Sequence, residues 1–298
     1  MHNHSKLIVT DSSKISVLDI ENQNLTPGMK QYQEVKRAHP DCLVMLRMGD
    51  FFEMFYEDAI TASRELEITL TARGQGEKRA PLAGIPYHAL EGYLGKLVKR
   101  GYKVAIVEQL EDPKLAKGLV KRGLVRIVTP GTVIESSLLN EKENNYIVAL
   151  TCHGEEGAIA CSDASTGEFF TISTTSRVSL LSEMVRLAVS ECLIPKSLGV
   201  DREFVDKLKQ ICFVNPLEDY YFKFDKARSI LLEQFSLPSL DPFGLEEKKM
   251  NISVCGALVY YLRDTQKTNL HQLQKIMLHT SEQMIIDGNT FRNLELLK

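Results

Sequence analysis

Across 298 residues the chain is 44% hydrophobic and 25% charged, the balance of an ordinary globular protein, which excludes a disordered, collagen-like or coiled-coil chain. At about 150 residues per domain the length fits two domains. The net charge of −3 is uneven: residues 25–131 carry 17 Lys and Arg against 13 Asp and Glu, residues 132–298 carry 17 against 23, and residues 70–126 hold 12 basic side chains against 5 acidic ones.

Residues 1–24 are polar, lack periodicity and read as an extension. Thr26 as N-cap and Pro27 at the first helical position open a helix. Pro40 closes it, because the residue before a proline avoids the α region. Cys42 to Met48 is an apolar run with β character, and Gly49-Asp50 is a turn. Phe51, Phe52, Phe55 and Tyr56 then place four aromatics in six residues. Residues 58–66 read as helix with Ala59, Ala62 and Leu66 on one side, 68–70 as strand, and 73–79 as a basic loop. Residues 88–100 form an amphipathic helix with Leu90, Leu94, Leu97 and Val98 on its apolar face, ended by Gly101. Strands at 104–107 and 124–128 flank a Lys-rich segment, so the first half reads as α/β.

Thr129-Pro130-Gly131 punctuates the chain and 140–145 reads as a linker. Three short strands follow, at 146–150, 157–161 and 168–172, then helices at 178–190, 201–210, 226–235 and 249–262. Hairpin-linked strands followed by helices resemble the opening of a ribonuclease-H-like sheet. The last residues, 276–298, carry Met284, Ile285 and Ile286, then a polar stretch and a helix start, and read as the lead-in to a further domain.

Several chemistries are excluded by pattern. No apolar run approaches the roughly 18 residues of a membrane span. Met1 to Ser5 lack the basic flank and apolar stretch of a secretory signal, so intracellular residence is expected. The six cysteines include no C-x-x-C pair and read as small apolar residues of a reducing compartment. The string nearest a phosphate-binding loop is Gly95-Lys96, but Leu90 stands five residues before Gly95 and Leu97 follows Lys96. H-E-x-x-H, G-x-S-x-G and kinase signatures are missing, and His88 reads as a surface or structural residue. A ribonuclease-H-type nuclease needs several strand carboxylates to hold metal. Asp163 and Glu168 are candidates, but strand 146–150 supplies none.

The basic stretch suits a polyanion, and equally a solvated face without a partner. Periodicity alone puts three of the four clustered aromatics in a core. An aromatic directly after Gly-Asp, beside an acid in a basic domain, allows another role. Proteins that kink duplex DNA insert an apolar wedge between base steps, and a flat ring replaces the stacking it displaces. A carboxylate beside phosphates is sensible if it meets a base edge, with its proton retained as desolvation raises its pKa.

The run from Met48 to Ala59 (MGDFFEMFYEDA) resembles the Phe-x-Glu segment of the MutS family of DNA mismatch-repair proteins. So do Ala83 to Ala89 (AGIPYHA), Val107-Glu108-Gln109, Arg126 to Thr132 (RIVTPGT), Asp264 to Lys267 and the terminal DGNTFRNL. The resemblance implies an α/β mismatch-binding domain with a mixed sheet over 25–134, a ribonuclease-H-like α/β connector over 140–274, and the start of a helical core domain over 276–298. It makes Phe51 the stacking wedge, Glu53 the base-contacting acid and Phe52 the variable middle position. Arg73, Lys78, Arg79, Lys96, Lys99 and Arg100 are then candidates for phosphate contact. The implied partner is double-stranded DNA with mismatches or small loops. Complete family members continue into lever, clamp and ATPase domains, so ATP and Mg, self-association and a MutL-type partner belong to the complete protein. This chain is read as a piece of that ATPase, with no catalytic, metal or cofactor residues of its own, weak in binding DNA alone, cytoplasmic and nucleoid-associated in a prokaryote. The competing reading is an interaction module in which the connector relays conformational change to a MutL-type partner and the first domain's aromatics are core. Exposure of Phe51 separates the two.

Overall fold

The computed structural model describes residues 26–74, 79–111, 118, 120–135, 138 and 144–279. The chain divides into two compact units, residues 1–93 with 104–124, and residues 94–103 with 125–298. Both sheets are six-stranded and mixed with helices, which is the α/β class expected.

The first unit opens on α1 (Pro27–Ala38), where the Thr26 hydroxyl accepts from the Met29 N–H at 3.4 Å and Pro27 sits in the first turn. Strands β1 (Cys42–Met48) and β2 (Phe51–Phe55) form a hairpin with Met48 opposite Phe51. Gly49, at φ +62, takes the first turn position, where the hairpin twist requires a positive φ and glycine supplies it without strain. Helix α2 (Tyr56–Leu66) follows β2 without a linker, and Ala59, Ala62 and Leu66 are buried as anticipated.

The strand expected at 68–70 lies instead at β3 (Thr71–Arg73). Residues 67–70 are spent on ending α2: Glu67 adopts φ +57, the Ile68 N–H returns to the Ser63 carbonyl, and the Ser63 hydroxyl donates to the Ile68 carbonyl at 2.6 Å. Strand β4 (Ala80–Pro86) was not anticipated, because two prolines and a glycine mask it. A 3-10 turn over Tyr87–Ala89 delays α3 to Leu90–Lys99, past the expected start at His88. With β5 (Lys103–Gln109) and β6 (Arg122–Val128) the sheet order is β3-β4-β2-β1-β5-β6.

One buried carboxylate fastens the first unit. Asp58 of α2 accepts from the Val44 N–H of β1 at 3.0 Å, from Lys36 Nζ of α1 at 2.8 Å and from the Tyr32 hydroxyl. That hydroxyl also lies 3.0 Å from the Phe55 carbonyl oxygen at the end of β2. Burial, then the charge of Asp58, holds the Tyr32 phenol well above its ordinary pKa.

In the second unit β7 (Tyr146–His153), β8 (Glu156–Asp163) and β9 (Phe169–Thr174) run antiparallel. Strand β10 (Glu191–Pro195) joins β7 in parallel, and β11 (Phe213–Leu217) joins β10 in parallel. Three antiparallel strands continued by two parallel ones form a sheet of the ribonuclease-H-like kind expected. The described helices after this sheet begins are α4 (Arg177–Arg186), α5 (Arg202–Ile211), α6 (Phe224–Phe235) and α7 (Lys249–Gln266). Ile147 and Ala149 of β7 pack in the α6–α7 core, while Val148 and Leu150 pack in the α4–α5 core. A strand covered on both faces is apolar throughout rather than alternating. Strand β12 (Met277–His279) adds to the edge in parallel with β9, held by pairing with Phe170 to Ile172. The DGNTFRNL stretch and Met284 to Ile286 lie outside the described residues. All six cysteines are free thiols and five are buried, as the small-apolar reading required.

Helices α6 and α7 meet where Gly256 faces Ala227. A Cβ on Gly256 would lie 2.4 Å from both the Ala227 Cα and Cβ, a clash between backbones that no rotamer relieves. Gly256→Ala is therefore expected to destabilise this unit by about 1–3 kcal/mol, the range for overpacking, despite alanine's helix preference of about 1 kcal/mol. Thermal unfolding checks this, and adding Ala227→Gly should restore little, because the Ala227 Cα at 2.4 Å and carbonyl oxygen at 2.6 Å remain in the way.

Candidate nucleic-acid interface

Side chains alternate along β2. Phe52 and Met54 point into the core at 1% and 0% exposure, while Phe51, at the start of the strand, is 48% exposed. Phe55 shares the face of Phe51 by spacing but is covered by the Tyr32 ring, edge-on at 5.2 Å. One face of β2 is thus capped by α1 at its C-terminal end and open at Phe51 and Glu53. Of the four clustered aromatics Phe52 and Phe55 are buried, Tyr56 is half-buried, and Phe51 is the exposed one.

Glu53 lies two residues along the same face, half-buried. Its carboxylate receives Arg73 Nη1 at 2.6 Å. Burial raises the Glu53 pKa above the ordinary carboxylate value, while Arg73 and then Arg122 pull in the opposite direction. Arg73, grouped by sequence with the phosphate contacts, is joined to the acid instead: β4 lies between their strands, and the long side chain spans it. Arg79 is exposed just ahead of β4, and Lys78 lies outside the described residues. Lys96 and Lys99 project from α3 and Arg100 follows it, all three exposed, in the second unit.

Two arginines that sequence reasoning passed over brace the hairpin. Arg47 Nε donates to the Gly49 carbonyl at 2.5 Å, and its guanidinium lies 3.9 Å from the exposed Tyr87 ring. Arg122 Nε donates to the Arg47 carbonyl at 2.6 Å, and burial lowers the Arg122 pKa. The Tyr87 N–H donates to the Asp50 carbonyl at 2.9 Å, tying the turn to the end of β4. An arginine closing an apolar strand carries no spacing signal, so neither role was legible. Phe51 therefore projects from a turn pinned on both sides.

Other candidates are accounted for by local structure. His88 is exposed beside the Tyr87 ring. Asp163 accepts from the N–H groups of Asn145, Ser165 and Thr166, which makes it the cap of the β8–β9 turn. Glu168 accepts from the Tyr146 hydroxyl at 2.7 Å. Gly95-Lys96 sits inside α3 with Gly95 and Leu97 buried, so it presents no loop to a phosphate. Among the described residues no group of three or more His, Cys, Asp or Glu is placed to hold a metal ion, and no helix is long and apolar enough to cross a membrane.

Residues 26–137 match the family described as MutS domain I, and residues 145–274 match MutS domain II. The chain belongs to the MutS family. It is 44% identical over 277 residues to the DNA mismatch repair protein MutS of Lachnoclostridium phytofermentans, covering 91% of this chain and 30% of the relative. It is 43% identical over 282 residues to the protein of that name from Methanococcoides burtonii, covering 92% and 32%. The chain thus spans about a third of the length of these MutS relatives.

Proposed function

We propose that this chain recognises mispaired or unpaired bases in double-stranded DNA by inserting Phe51 between base steps and kinking the duplex. The observation that carries the reading is the exposure of Phe51 beside Glu53 on one face of a strand whose other aromatic is sealed. Unstacking a base step costs a few kcal/mol. A mispair is already poorly stacked, so the cost there is smaller, and selectivity comes from deformability rather than a base code. Exposed Arg79, Lys96, Lys99 and Arg100, with Lys78, supply salt-dependent affinity to phosphates without selectivity. ATP with Mg²⁺, self-association and a MutL-type partner are assigned to the complete protein. Among the described residues the Gly95-Lys96 string lies inside α3 and offers no loop to a triphosphate.

Glu53 completes the reading. A carboxyl whose pKa is raised keeps its proton more readily and then donates to a base-edge acceptor. Arg73, bound to the same carboxyl, offsets its charge near phosphates. The sign follows. The protonated form is the donor, so mismatch preference should be greatest below the pKa of Glu53 and decline as pH rises through it. Glu53→Gln, a permanent donor, should hold the preference and flatten the profile. Glu53→Ala should keep or raise affinity for paired duplex while lowering selectivity. Fluorescence titrations of both duplexes across pH check this, and a uniform loss on both duplexes would count against the assignment.

A further inference from the structure

Gly84 on β4 stands directly opposite Glu53, and Pro86 stands opposite Phe51. Opposed residues of an antiparallel pair share a sheet face, as do residues two apart on a strand. Gly84, Glu53 and Phe51 therefore face the same way. Its neighbours Ala83 and Ile85 turn inward and are fully buried, while Gly84 itself is exposed.

Nothing in the fold demands glycine there. Gly84 is not among the glycines at positive φ. A Cβ on it would lie 3.6 Å from the Phe52 carbonyl oxygen, 3.9 Å from Phe51 Cδ1 and 4.0 Å from Glu53 Cγ. These are ordinary contacts, so a Cβ would fit the free protein. Glycine inside a strand weakens it, and where it is found it often marks the close approach of a ligand.

The position of this bare backbone is specific: a Cβ there would meet both side chains proposed to contact DNA. We infer that Gly84 is a specificity-determining position whose open floor, between Phe51 and Glu53, admits the minor-groove edge of the base pair the ring displaces. A side chain at 84 would stand as high above the sheet as the Glu53 stem. It would hold that edge away from the carboxyl and stop the ring short of full insertion. The inference rests on the mismatch reading above and adds to it the surface against which the displaced pair settles.

The test is Gly84→Ala and Gly84→Val in the full 298-residue chain, titrated at low salt with labelled duplexes that differ only in one mispair. Valine is favourable in strands, so the thermal unfolding temperature should hold or rise. Mismatch affinity should fall about tenfold for valine, the scale of one lost base contact, and less for alanine, with paired-duplex affinity and its salt slope unchanged. A folded valine variant with parental mismatch affinity overturns the inference. If valine does not fold, a folded alanine variant with undiminished preference overturns it. In the Arg73→Ala background valine should still cost the same factor. Disappearance of the effect there would mean that the glycine serves only the reach of Arg73 to Glu53, and would also overturn it. A parent chain with equal affinity for both duplexes sinks the mismatch reading itself, a distinguishable result.

Discussion

Replacing Phe51 with alanine is expected to erase the preference for mispaired over paired duplex while leaving the salt dependence of binding nearly unchanged. The two halves of that expectation come from different groups. Stacking of a base on an aromatic ring contributes about 1–3 kcal/mol, which corresponds to about five- to 150-fold in affinity. That contribution is realised where the duplex is already loosened, so its loss falls on the mispaired complex. The salt slope counts phosphates neutralised by Lys and Arg, and Phe51 neutralises none. Folding should be unaffected, because the ring is 48% exposed and a side chain left in solvent contributes little to stability. Titration at three or more salt concentrations separates the terms. A variant that keeps the parental preference removes the wedge from the account, and one that loses affinity equally on both duplexes makes Phe51 a general contact.

The largest stability effect is expected at Asp58. Removing its carboxylate takes an acceptor from three donors: the buried Val44 N–H, Lys36 Nζ, which keeps the Cys42 carbonyl at 2.7 Å, and the Tyr32 hydroxyl, still within reach of the Phe55 carbonyl. Breaking a buried ion pair from one side costs about 3–5 kcal/mol, because the remaining charge stays uncompensated. For a unit of this size each kcal/mol lowers the unfolding temperature by about 4–8 °C, so Asp58→Ala should lower that of the first unit by at least about 12 °C. Asp58→Asn keeps the shape and an acceptor for Val44 and should lose less. Since α1, β1, α2 and the end of β2 all meet at this carboxylate, the seat of Phe51 depends on it. At a temperature where Asp58→Asn is fully folded, mismatch preference should survive. Scanning calorimetry of the three proteins decides the matter, and a shift of a degree or two for alanine would show the network to be unimportant.

The sequence was informative where a residue's role is local. Thr26 and Pro27 announce the start of α1, Gly49 the hairpin turn and Gly101 the end of α3, since caps and turns depend on backbone geometry that few residues satisfy. The proposed role of Phe51 came only from the resemblance to the MutS family; what the strand adds is alternation, which sends Phe51 and Phe52 to opposite faces and leaves Phe51 exposed. Strand β4 was hidden because its partners on both sides overrule the poor strand preference of Pro81, Gly84 and Pro86. Arg73 was named a phosphate-contact candidate through the resemblance, and its ion pair with Glu53, twenty residues earlier, was not anticipated. Long-range pairing of this kind leaves no periodic trace. Arg47 and Arg122 escaped for the same reason, their bracing of the Gly49 turn being visible only once β1, β2 and β6 are assembled.

The most direct test of the central claim follows the ring itself. A duplex carrying 2-aminopurine next to a single mispair reports local unstacking by a rise in fluorescence. Saturating amounts of this chain should raise that signal on the mispaired duplex and leave the paired duplex unchanged, and Phe51→Ala should bind without the rise. If the alanine variant at saturation gives the same increase as the parent, the duplex is opened by something other than Phe51, and the wedge account is contradicted.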